Sequence, residues 1–198
     1  MPNTHSDSAV QQVVLQPLPG DFAIWIFIFA ELSVFAIFFA AYAITRNTHL
    51  ELFNVAQTHI NKTYGYINTI LLLTSSYCVA IANRYIKEGR STACTRFLAY
   101  AMMLGAAFLA VKIAEFNNDF ANGITLSSNL FDMFYISLTV FHFMHVIMGM
   151  VILSVVTYKS YKGKYNATEH TGIETGSVYW HMVDLVWIIL FSLVYILH

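Results

Sequence analysis

Long, continuously apolar stretches alternate with short polar connections along the whole chain. Five runs, at roughly 22 to 45, 65 to 86, 95 to 116, 130 to 158 and 176 to 197, are long enough to cross a hydrocarbon core of about 30 Å, which takes about 20 helical residues. None shows the period-two alternation of an outer-membrane strand, so the pattern predicts helices, which satisfy their backbone hydrogen bonds within one segment. The expected fold is all-α, an integral membrane bundle of five transmembrane helices covering 21 to 198. Pro2, Pro17 and Pro19 all precede the first run, so no span is predicted to carry a proline kink. Residues 1 to 20 are polar, hold no Lys or Arg and close on Pro17-Leu18-Pro19-Gly20. They read as a disordered cytoplasmic lead-in, with Asp21 placed to cap the first helix. A basic n-region and a small-residue cleavage site are missing, which argues against a signal peptide.

Composition agrees with the pattern. Charged residues make up 11% of the 198 and hydrophobic ones 58%, with a mean hydropathy of +0.60, too little charge to coat a soluble domain of this size. The net charge of −1 says nothing further about partners, but its distribution predicts an orientation. Arg84, Lys87, Arg90 and Arg96 flank the second connection, and Lys159, Lys162 and Lys164 the fourth. Only Arg46 and Lys62 flank the first, and the third, 117 to 129, has no basic residue and carries Asp119. Seven against two places the second and fourth connections inside, the amino terminus in the cytoplasm and the carboxyl terminus outside. Trp25, Tyr42, Tyr64, Tyr66, Tyr161, Tyr165, Tyr179 and Trp180 fall near the expected interfaces, where aromatic belts form. Phe27, Phe29, Phe35, Phe38 and Phe39 read as helix surface.

Cys78 and Cys94 are not a CxxC pair, and at the inner ends of their spans they read as packing residues without a disulfide. The chain lacks a CxxCH for covalent haem and any cysteine cluster for an iron–sulfur or dinuclear copper site. Candidate chemistry therefore rests on the ionisable residues inside the spans, which are costly there and mark function or a specific protein contact. Glu31 lies about 15 Å along the first helix, near mid-bilayer. His142 and His145 share one face of the fourth span, and His181 and Asp184 one face of the fifth, each pair three residues apart. Glu174 opens the fifth run, and Lys112 and Glu115, also i, i+3, are placed to pair or to snorkel toward water. A hydrogen-bonded register network, a metal site built from His-x-x-His and His-x-x-Asp pairs, and a transport path all remain open to such a set. Nothing in the pattern suggests broken helices or repeats of a transporter.

At these residues the sequence resembles subunit III of the haem–copper oxidases, over all five spans. Ala30-Glu31-Leu32 in the first resembles the family helix with a mid-membrane glutamate that reacts with carbodiimide. Ile67-Asn68-Thr69, Ala114-Glu115-Phe116, Phe141-His142-Phe143-Met144-His145-Val146 with Gly149, and Glu174-Thr175-Gly176, Tyr179-Trp180-His181 and Asp184-Leu185-Val186-Trp187 are similar to family motifs in the same order. The chain resembles only the last five of the seven helices of the mitochondrial type. Its short form, Asn68 to Ser76 and its closing motif look most like the NorE-type branch, accessory proteins associated with nitric oxide reductase.

The resemblance implies a non-redox accessory subunit in a prokaryotic inner membrane. Its partner would be the catalytic subunit of a cytochrome c oxidase or nitric oxide reductase, which would carry the haem and the copper or iron. This chain would hold no redox cofactor, with a bound phospholipid as a further candidate. It would support assembly, proton uptake and stability of the partner. Glu31 would be the buried, protonated carboxyl group, and Glu115, His142, His145, Glu174, His181 and Asp184 the interhelical polar network. The alternatives are a membrane enzyme that binds metal through the same His, Glu and Asp set, and a small transporter.

Overall fold

The computed structural model describes residues 22–58 and 60–197; the lead-in and the capping role of Asp21 lie outside them. Six α-helices follow in order: α1 (Phe22–Thr48), α2 (Leu50–Gln57), α3 (Lys62–Lys87), α4 (Ser91–Ala121), α5 (Leu130–Tyr161) and α6 (Thr171–Phe191). A π-helical turn, Ser192–Ile196, continues α6. All but α2 are long and apolar enough to cross a membrane, and the turn carries the last span to Ile196.

Chain chemistry sets the helix ends. Asn61 accepts a hydrogen bond from the Thr63 N–H at 3.0 Å and Asn129 from the Asp132 N–H at 2.8 Å, each satisfying a donor the first turn leaves open. Between α3 and α4 the chain reverses through Gly89, whose φ of 75° suits a residue without a Cβ. The resulting hairpin is the most extensive helix pairing among the described residues, and Ser75 of α3 donates to the Ala101 carbonyl of α4 at 2.8 Å.

α6 is the hub and α1 the periphery. Of the most apolar stretch of the last span 61% is buried, against 11% in α1. Small residues let α6 approach its neighbours. A Cβ on Gly149 of α5 would meet the Trp180 indole at 2.9 Å, so the bare backbone there admits the ring of α6.

Two departures from the sequence reading concern the end of the bundle that carries α2. The first connection is itself helical, and it buries Phe53, Ala56 and Gln57. α4 runs on to Ala121, so Asp119, expected in a loop, is helical and 2% exposed. Lys112, Glu115 and Asp119 repeat at i, i+3 and i+7, which keeps them on one buried face. At the same end, side chains of α1 and α2 cap the carbonyls that the π turn frees. Tyr42 donates to Leu193 O at 3.1 Å, Arg46 to Leu197 O at 3.2 Å and Gln57 to Val194 O at 2.6 Å. Tyr42, Tyr179 and Trp180 are therefore no part of an aromatic belt; all three are fully buried between helices. Phe35 too is buried rather than surface, because it packs on Phe141 and His145 of α5.

Candidate functional site

The polar side chains singled out in the sequence fall into separate groups, each between a different pair of helices. The first joins α1 to α5 midway along the spans. Oε2 of Glu31 lies 2.9 Å from Nε2 of His145, and the side chains are 23% and 12% exposed. Nδ1 of His145 lies 2.7 Å from the Phe141 carbonyl oxygen, which can only accept, so Nδ1 carries a hydrogen. One hydrogen then serves the Glu31–His145 contact. It resides on Glu31 with a neutral imidazole, or on an imidazolium facing a carboxylate, and in both cases the pair is neutral overall. The rings of Phe35 and Phe141, centred 5.1 and 4.6 Å from that of His145, fix the imidazole edge-on.

His142 shares a helix with His145 but not its partner. It is 1% exposed, and neither ring nitrogen has a hydrogen-bond partner. Trp187, Phe108 and Phe35 surround it with ring centroids 5.2, 6.1 and 6.5 Å away. The i, i+3 spacing places both histidines toward the bundle, yet the 100° turn per residue offsets them enough for one to reach α1 and the other the α4–α6 interior.

The second group is the most enclosed. Lys112 and Glu115 are each 1% exposed and pair at 3.0 Å between Nζ and Oε2; they do not snorkel. Lys112 also donates to the Tyr195 hydroxyl at 2.9 Å. Tyr195 donates to Glu115 Oε1 at 2.6 Å. The Tyr135 hydroxyl sits 2.9 Å from the same Oε1 and 2.8 Å from Asp119 Oδ2. The rings of Phe116 and Trp187 face the ammonium at 4.9 and 5.5 Å. A buried ion pair survives only when its remaining donors and acceptors are met, and here tyrosines from α5 and the π turn meet them. Tyr135 and Tyr195 do not stand out in the sequence, where Asp119 reads as a loop charge. The heptad-like spacing of the α4 residues was the available signal for Asp119; nothing local pointed to the tyrosines.

The third and fourth groups hold α6 to α3. The Ser76 hydroxyl lies 2.6 Å from His181 Nδ1, and Asp184, three residues further along α6, is 8% exposed with its Oδ1 unpartnered. Ser76 thus clasps the histidine of the His-x-x-Asp face. At the opposite end from α2, Glu174 pairs with Lys87 at 2.7 Å and with His170 at 3.4 Å. Of the six residues expected to form one network, Glu115, His145, Glu174 and His181 make separate local contacts, whereas neither ring nitrogen of His142 has a partner. Cys78 and Cys94 are both free. Among the described residues no three His, Cys, Asp or Glu side chains gather as a metal site would require.

Five helices long and apolar enough to cross a membrane make this an integral membrane bundle. Comparison with known proteins defines which. The family model described as cytochrome c oxidase subunit III matches residues 9–198. The cytochrome c oxidase subunit 3 of Thermostichus vulcanus is 33% identical over 173 residues, 87% of this chain and 84% of that protein. Its counterpart in Synechocystis sp. is 31% identical over 177 residues, 89% and 75% of the two chains. The cytochrome bo(3) ubiquinol oxidase subunit 3 of Buchnera aphidicola is 26% identical over 175 residues, 88% and 85%. The chain belongs to the cytochrome c oxidase subunit III family.

Proposed function

We propose that this protein is the non-redox subunit III of a haem–copper oxidase, held beside the catalytic subunit in a prokaryotic inner membrane, and that it supports that subunit's assembly, proton uptake and stability. The carrying observation is the family match across nearly the whole chain, joined to a bundle of five helices long and apolar enough to cross a membrane. In that complex the haem and metal belong to the partner. Glu31 is proposed as the family's membrane carboxyl group, with His145 as the base it shares a proton with. The remaining clasps serve to hold helix register.

The proposed orientation, amino terminus inside, is supported by where the basic side chains come together. The α3–α4 turn and the α5–α6 connection share one end of the bundle, with Arg84, Lys87, Arg90, Arg96, Lys159, Lys162 and Lys164. At the other end Arg46 is turned inward onto Leu197, which leaves even less positive charge there for water.

The short form does not favour nitric oxide reductase over an oxidase as partner. This chain spans 84% of a relative named cytochrome c oxidase subunit 3, so a chain of this length is not peculiar to the NorE-type branch. Affinity purification of the tagged protein from native membranes in mild detergent, with mass spectrometry and a visible spectrum, tests the proposal. Recovery of oxidase catalytic subunits and haem bands is the expected result. Nitric oxide reductase subunits in their place would move the protein to the NorE-type role, and a colourless eluate without either would overturn the accessory-subunit reading.

A further inference from the structure

Hydrogen counting around Tyr135 shows a shortage in the enclosed cluster. Tyr195 accepts from Lys112 and gives its own hydrogen to Glu115 Oε1. Lys112 gives another to Glu115 Oε2. Tyr135 has one hydroxyl hydrogen, yet its oxygen stands 2.9 Å from Glu115 Oε1 and 2.8 Å from Asp119 Oδ2. If both groups are carboxylates, each can only accept, and a single O–H must divide between two oxygens of like charge. The side chains buried there would then sum to one positive and two negative charges, with the excess held away from water by residues 1–2% exposed.

We propose that Asp119 is a resident proton-binding site: its Oδ2 carries a proton and donates it to the Tyr135 oxygen, and Tyr135 donates in turn to Glu115. Both contacts are then full hydrogen bonds, all directed toward Glu115, and the Lys112–Glu115 pair closes the cluster at zero charge. Asp119 rather than Glu115 holds the proton because Glu115 already receives hydrogens from Lys112 and Tyr195 and sits directly on the ammonium. Apart from Lys112 and Glu115, the groups acting on Asp119 among the described residues are Tyr135 of α5 and Asn118, its neighbour in sequence. Neither supplies a positive charge.

Infrared spectroscopy of the full chain in liposomes, with aspartate labelled in its carboxyl group by heavy carbon, tests the assignment. At neutral pH the wild type is expected to show a protonated-acid C=O band that moves with the aspartate label, disappears in Asp119→Asn and shifts in Tyr135→Phe, where its acceptor is gone. Should Asp119→Asn fail to accumulate, the shift in Tyr135→Phe decides. The proposal is overturned by a wild type without any aspartate-labelled acid band, by a band untouched in both Asp119→Asn and Tyr135→Phe, or by an acid band that follows labelled glutamate and vanishes in Glu115→Gln.

Discussion

The Lys112 cluster and the Glu31–His145 pair solve the same problem, ionisable groups inside a span, in opposite ways. The cluster is sealed: side chains from α4, α5 and the π turn meet there with 0–2% exposure. The pair is open: its members are 23% and 12% exposed, and α1, which carries Glu31, is the least buried of the spans. A sealed charge depends on its partners for solvation, so it is a structural commitment. An edge pair that is neutral as a unit needs little from the bundle and stays within reach of a neighbouring subunit or lipid.

The contrast predicts unequal mutational costs. Glu115→Gln strands the Lys112 ammonium and should cost about 3–5 kcal/mol in thermal or denaturant unfolding. Replacing both residues by methionine should recover most of it, and a double variant as unstable as the single one would refute the sealed-pair account. Gly149→Ala comes next. Its Cβ drives into Trp180 one turn beyond His145, and a loss of about 1–3 kcal/mol is expected from overpacking. An unchanged melting temperature would mean that α5 and α6 can separate freely there. Asp184→Ala removes a buried carboxyl group three residues beyond His181 and should cost about 1–2 kcal/mol; melting in detergent at the wild-type temperature would argue that the polar face between α3 and α6 is idle. At the small end, Glu31→Gln can still donate to His145 and should change stability by less than about 1 kcal/mol, with co-purification of the catalytic subunit retained. Loss of assembly in that variant would show that the open pair needs its charge, and the two regions would no longer differ in kind.

Much of this was legible in the chain. Runs of apolar residues near 20 long located the spans, because an isolated segment in lipid has no alternative to an internally bonded helix. The ionisable residues within them were visible as exceptions, and the order of short motifs pointed to the family. Their partners were not visible. His142 and His145 look alike in sequence, yet one meets a carboxyl group of α1 and the other a cage of aromatic rings. Asp119 reads as a loop residue because the hydropathy of α4 fades before its hydrogen bonds do, and Tyr195 joins Lys112 across 83 residues of chain.

The sequence by itself determined a membrane-spanning helical bundle and its kinship, since both depend on local apolar length and on short contiguous motifs. Only the tertiary structure decided that the polar residues fall into separate groups and that one tyrosine hydroxyl stands between two carboxyl groups. Which groups face each other depends on helix rotation and depth, and these are set by close packing at sites such as Gly149 against Trp180, which no single segment encodes.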